Sequence, residues 1–162
     1  MRLWPILQGL CLVLTANGAP VLAKAFLQEW GAQPLDLGCA FLDGKPLFGK
    51  SKTIRGVLAA LLAATLTAPL LGLNWDVGLL AGAAAMAGDL FSSFVKRRFG
   101  LPPQAMAPGL DQAPESLLPL LACKGALGIS TAEAAIGASL FWIGELILSR
   151  AAFAMGIRDR PY

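Results

Sequence analysis

The 162-residue sequence contains no histidine. That absence removes imidazole, both as general base and as metal ligand, from every hypothesis about the chain. Charge is also scarce: 14% of residues are Asp, Glu, Lys or Arg, against about 25% in a typical soluble domain. The three cysteines, Cys11, Cys39 and Cys123, show no CxxC spacing. They read as inert thiols, not as a metal site or a disulfide framework. No internal repeat and no soluble domain is visible. What the chain has in excess is apolar side chains, at 56% of residues and a mean hydropathy of +0.65. That is more than one globular core needs, and it points to the bilayer as solvent.

Spanning the hydrocarbon takes about 20 apolar residues. Residues 3–23 and 56–75 are runs of 21 and 20 without a charge. Five spans are expected, at about 3–26, 56–75, 77–95, 116–130 and 133–155, forming one all-α membrane domain over 1–162. The first is read as an uncleaved helix, because no small-residue cleavage site leads into a soluble domain. Asn17 and Pro20 are expected to interrupt it. The cytoplasmic connections are about 27–55 and 96–115. The first carries Lys45, Lys50, Lys52 and Arg55, close to Lys24, and the second begins with Lys96, Arg97 and Arg98. Arg158 and Arg160 follow the last span. An odd number of spans puts these three basic pieces on one side. The positive-inside rule makes that side cytoplasmic and puts the N-terminus outside the cell membrane.

Within the first connection, Gly44, Gly49, Lys50 and Ser51 match G-x-x-x-x-G-K-[ST] letter for letter. A true P-loop needs a strand before the glycines and a helix after them, in an α/β domain. The preceding "PLDLGCAFLD" is too short to build a parallel sheet, so the match is read as a decoy for an ATPase. The loop still holds four cations in eleven residues, beside Ser51, Thr53 and glycines that let backbone approach a ligand. Thr53 is placed to cap the second helix, whose N-terminus favours an anion. Two readings stand side by side: a phosphate-binding loop, or a basic anchor touching lipid headgroups.

The third span ends "AGDLFSSFVKRRFG", with Asp89 about 9 Å below the cytoplasmic edge at helical rise. An intramembrane carboxylate is costly and signals function by default. Ser92 or Ser93 and Lys96 follow it at spacings that share one helical face. The next loop supplies Asp111 and Glu115. Carboxylates among basic clusters suit a polyphosphate with Mg²⁺, the acids for the hard cation and the Lys and Arg for phosphate charge. Lys124 and Glu145 are expected to pair across the fourth and fifth spans as a structural contact.

"FLDGKPLFGKSKTIRG", "GDLFSSFVKRRFG", "GLDQ", "ANGAPVL" and the ending "GIRDRPY" resemble, in order, the CDP-archaeol synthase family. These are integral membrane CTP transferases related to the CDP-diacylglycerol synthases. The resemblance implies five membrane helices, a cytoplasmic nucleotide face and Mg²⁺ dependence. It also implies transfer of CMP from CTP to an ether-lipid phosphate, with pyrophosphate released. By motif, Lys50, Lys52, Thr53 and Arg55 would hold the nucleotide phosphates. Asp89 and Asp111 would be the metal-binding carboxylates, and Lys96, Arg97 and Arg98 would take triphosphate or lipid phosphate. The family pattern has a second acid three residues after the Asp of "GLDQ", where this chain has Pro114 with Glu115 adjacent. The expectation is one Mg²⁺ through Asp89 and Asp111.

Such a reaction needs no protein nucleophile, because the lipid phosphate oxygen is already an anion, and the lack of histidine fits this. The expected partners are CTP, a lipid phosphate and the bilayer, with no nucleic acid. Two other classes remain open: a transporter relaying charge through Asp89, Lys124 and Glu145, and an anionic-lipid adaptor using only the basic loops. The apolar residues suit isoprenoid ethers and acyl esters alike.

Overall fold

The computed structural model describes residues 3–102, 105, 107 and 109–154, with the side chains of 148, 149 and 151–154 excepted. The tail with Arg158 and Arg160, and with it all of "GIRDRPY", lies outside the described residues. The described chain is helical: α1 (Leu3–Leu27), α2 (Ile54–Leu70), α3 (Trp75–Arg98), α4 (Gln112–Ala122), α5 (Lys124–Leu127) and α6 (Thr131–Ala154). Its β-type pairing consists of two isolated bridges, Pro34 to Thr53 and Ala40 to Pro46. The strand that a P-loop requires is therefore not formed among the described residues.

By length and composition α1 and α3 can each cross a bilayer, while α2 is apolar but shorter. The expected interruption of α1 does not occur. Pro20 lies inside a continuous helix; it removes one backbone donor, but the apolar residues on either side carry the helix through. The expected fourth span differs more. It is divided into α4 and the single turn α5, which Gly128 ends at φ +65°. Glycines at 125 and 128 follow in quick succession, and glycine is a poor helix former. Among the described residues no ion pair joins Lys124 to Glu145: Lys124 is exposed on α5, and Glu145 lies within electrostatic reach of Glu115.

Small residues bring the helices together. Ala60, Ala64 and Ala68 of α2 are fully buried and face Gly78 and Gly82 of α3. A Cβ on Gly78 would lie 2.2 Å from the Ala64 carbonyl oxygen. Between membrane helices, where lipid is as apolar as leucine, such close backbone packing replaces the hydrophobic drive. The outward face of α2 presents Leu58, Leu62 and Leu66, all exposed, as a lipid-facing stripe would be. Farther along α3, a Cβ on Gly88 would meet the Pro114 carbonyl oxygen at 2.3 Å and the Glu115 nitrogen at 2.7 Å. This contact sets the Asp89 turn directly against the start of α4. A second core, with Ile6, Leu12, Leu120, Leu127 and Phe141, joins α1 to the C-terminal helices.

Candidate active site

The 28–53 connection has almost no regular structure, so its shape rests on side-chain ties. Asp36 is buried, at 8% exposure. Its Oδ1 accepts the Gly38 N–H at 3.1 Å, and its Oδ2 accepts the N–H groups of Phe48 at 3.0 Å and Gly49 at 2.9 Å. The first bond is an Asx turn; the other two cross the loop. Gly49 sits at φ +91°, a conformation that favours glycine, and leads directly into Lys50. Burial pushes the Asp36 carboxyl up, but the N–H donors from Gly49, Phe48 and Gly38 outweigh it and hold the group below the usual 3.8.

Asp36→Asn replaces an acceptor oxygen with an N–H donor facing other donors. It is expected to cost about 1–3 kcal/mol, read as a lower Tm of the detergent-solubilised protein at pH 7. Because the folded pKa is depressed, this stabilisation is present above the unfolded carboxylate pKa. It is lost as pH falls through the folded value. The gap between wild type and variant therefore closes below about pH 4; a gap unchanged at pH 3 would refute the account.

Arg98 ties the other arm of the loop to the end of α3. Its guanidinium bonds Asp43 Oδ1 at 2.6 Å and the carbonyl oxygens of Lys45 and Pro46 at 3.3 and 2.5 Å. It also lies over the rings of Phe41 and Phe94, 5.0 and 4.8 Å from their centroids. Lys45 Nζ donates to the Arg98 carbonyl at 2.8 Å, a cation on a helix C-terminus. Arg55 similarly donates to the carbonyls of Gln28, at 2.9 Å, and Trp30. Arg98 and Arg55, both expected at phosphate, thus donate in this structure to loop carbonyls and, for Arg98, to Asp43.

Two further ion pairs line the inner face of α3. Lys52 Nζ bonds both oxygens of Asp89 at 2.6 Å, and Lys96 Nζ lies 2.6 Å from Asp111 Oδ1. Asp89 and Lys96, seven residues apart, share one face of α3, and both ion pairs branch from it. Asp111 Oδ2 also accepts the Ala107 N–H at 2.9 Å. Arg97 is buried, donates to the Pro102 carbonyl at 3.0 Å, and passes beside Gly49. Thr53 Oγ1 accepts the Gly56 N–H at 3.1 Å, giving α2 the expected cap and leaving its hydroxyl proton available to a ligand. Glu115 lies within electrostatic reach of Asp89, Lys52 and Asp111, which places it with the expected acids.

Beside the Lys52–Asp89 pair opens a cavity of about 540 Å³, within the range of about 300–1,000 Å³ for ligand pockets. The phosphate-type loop, the first turn of α2 and α3 supply Lys50, Lys52, Thr53, Arg55 and Asp89 to it, five of the nine expected site residues. Lys24 near the end of α1 and Gln28 and Glu29 in the turn after it add to the lining, and the sequence reading missed all three as site residues. The signal available was the position of Lys24, the first charge after an uncharged run. Asp36 was missed too, although an Asp two residues before a Gly is a turn signal.

The donor set fits a hard cation by chemistry: Asp89 and Asp111 offer carboxylate oxygens, with Glu115 near both. Their present partners are ammonium groups, and among the described residues no group of three or more acids is preassembled for a metal.

Comparison with known proteins bears on the family of the chain. The family model "CarS-like: CDP-archaeol synthase" matches residues 3–78. The CDP-archaeol synthase of Aeropyrum pernix is 34% identical, over 99% of this chain and 95% of that protein. That of Pyrococcus furiosus is 39% identical over 67% of this chain and 69% of its own length. A solved structure of an intramembrane enzyme for archaeal membrane lipids biosynthesis superimposes with a TM-score of 0.75 at 31% identity. It covers 87% of this chain and 90% of the solved one.

Proposed function

We propose, starting from the fact that this chain belongs to the CDP-archaeol synthase family, that it transfers CMP from CTP to an archaetidic-acid-type lipid phosphate. The chain is an integral membrane enzyme of this kind; substrate, product and residue roles are our reading. The observation that carries it is the Lys52–Asp89 pair, which places a cation and a carboxylate together at the edge of a pocket under a phosphate-type loop. An adaptor would need only the cations, whereas polyphosphate chemistry uses both.

In this reading a lipid phosphate oxygen attacks the α-phosphorus of CTP, forming a new P–O bond. The bond from the α-phosphorus to the bridging oxygen breaks, and pyrophosphate leaves with the electron pair. No proton need move. The protein positions the two anions and neutralises their charge. Lys50 and Lys52 hold the nucleotide phosphates, with the Thr53 hydroxyl donating beside them. Lys96 and Arg97 stabilise charge at the Asp111 end. Asp89 and Asp111 would hold a Mg²⁺ ion, which when bound would supply Lewis-acid neutralisation of phosphate oxygens. Arg55 and Arg98 maintain the loop that presents the lysines. All these groups lie on the basic side, so we place the nucleotide site in the cytoplasm, with five spans and the N-terminus outside.

The test is pyrophosphate release by the detergent-purified protein with Mg²⁺ and CTP. It is run with digeranylgeranylglyceryl phosphate, with phosphatidic acid and without lipid. Release that requires the isoprenoid ether lipid supports the reading, and release with phosphatidic acid alone overturns the lipid assignment. Folded protein that neither releases pyrophosphate nor binds CTP overturns the function.

A further inference from the structure

Four cations, Lys24, Lys50, Lys52 and Arg55, line the cavity together with two carboxylates, Glu29 and Asp89. Two of the cations are already engaged: Lys52 with Asp89, and Arg55 with the carbonyls of Gln28 and Trp30. The side chains of Lys24 and Lys50 form no hydrogen bond or ion pair among the described residues. The cations of the pocket whose side chains have no partner among the described residues are therefore Lys24 from α1 and Lys50 from the loop, beside the Glu29 carboxylate. Two such ammonium groups suit a phosphate monoester dianion, which takes Lys as a point-charge donor and accepts Arg as well.

The surroundings of Lys24 indicate where such a group would come from. Pro20 and Lys24 stand at i and i+4 on the stripe of α1 that faces the cavity, and Gln28 follows in the turn just after the helix. Off that stripe, Val21, Leu22 and Phe26 are 53%, 59% and 82% exposed, as lipid-facing side chains of a membrane helix are. Val57, Met86 and Leu90 continue an apolar wall inside the cavity. Lys24 thus stands where the hydrocarbon-facing surface of α1 meets a polar pocket. A headgroup can enter there while its tails stay in the bilayer.

The geometry points to Lys24 as a binding residue for the phosphate of the lipid substrate, held on the α1 side of the cavity beside the loop whose Lys50 takes the nucleotide phosphates. This rests on the transferase reading above and adds the subsite for the second substrate. A nucleotide γ-phosphate carries the same chemistry, so the two sources are separated kinetically. Lys24→Gln and Lys24→Arg are compared in detergent with the full chain. Each is titrated with lipid phosphate at saturating CTP and with CTP at saturating lipid. Lys24→Gln is expected to raise the KM for lipid phosphate about tenfold or more. The KM for CTP and kcat should stay within about twofold, and Lys24→Arg should restore most of the loss. An unchanged lipid KM would mean that Lys24 only reaches the headgroup layer, and a rise in the CTP KM alone would assign it to the nucleotide. Either result overturns the proposal, as does an Arg variant no better than Gln in protein of wild-type Tm. If the wild type turns over neither lipid, the transferase reading has failed independently. The same variants are then scored by binding to nanodiscs carrying phosphatidic acid or its methyl diester. Monoester-selective binding lost in Lys24→Gln supports the subsite, and equal binding by all three proteins refutes it.

Discussion

Asp89→Asn is expected to lower CTP-dependent CDP-lipid formation by at least about 100-fold, a size typical for removal of one well-placed electrostatic group. The shape of the side chain is kept, so the effect reports charge. Asn cannot neutralise the Lys52 ammonium that Asp89 holds at 2.6 Å. As a neutral ligand it also binds a hard cation far less well than a carboxylate. Each side chain of the pair retains 23% exposure, so water can solvate the freed lysine and the fold should survive. The checking measurement is product formation across a Mg²⁺ series, with Tm measured in parallel. Activity within tenfold of wild type, in folded protein, would remove Asp89 from the chemistry.

Gly88→Ala should be nearly as damaging, for a different reason. The added methyl would sit 2.3 Å from the Pro114 oxygen and 2.4 Å from its carbonyl carbon. Both are backbone atoms, so no rotamer change relieves the clash and α4 must move away from α3. Overpacking of this kind costs about 1–3 kcal/mol, occasionally more. The displacement falls on residues 114 and 115, next to Asp111 and one turn from the Asp89 carboxylate. We expect Tm to fall by several degrees and activity by more than the unfolded fraction explains. Gly144→Ala is the control: nothing lies within 4 Å of its added Cβ, and losing a helical glycine there stabilises by about 0.5–1 kcal/mol. Equal Tm values for the two variants would show that the α3–α4 contact is looser than described.

The charged face was largely legible in the sequence because charge is so rare in this chain. Asp89 stands out in an apolar run, and its i+7 relation to Lys96 is a matter of helical geometry. The cap at Thr53 could be read from the same rules, since Ser or Thr before a helix names its own partner. What the sequence hid are contacts set by the path of an irregular segment. Asp36 gives no periodic signal, and its bonds to Phe48 and Gly49 depend on how the loop closes. Arg98 looked like one more phosphate ligand in "KRR". Nothing in the local pattern says that Phe41 and Asp43, more than fifty residues earlier, turn back to meet it. Periodicity also failed at Pro20, where the helix continues, and in residues 116–130, where it breaks.

The tethers of the 28–53 connection carry a consequence for how the protein is made. Chains emerge N-terminus first at about 5–20 residues per second. Lys52 and Asp43 therefore leave the ribosome several seconds before Asp89 and Arg98, the residues that hold them, 37 and 55 positions later. During that interval Asp36 can close its own turns, since its partners lie at most 13 residues away. The pocket itself cannot assemble until α3 has entered the bilayer. A nascent chain arrested before residue 89 would carry a pre-shaped loop with nothing to dock on, and nucleotide affinity would appear only once the third helix has been inserted.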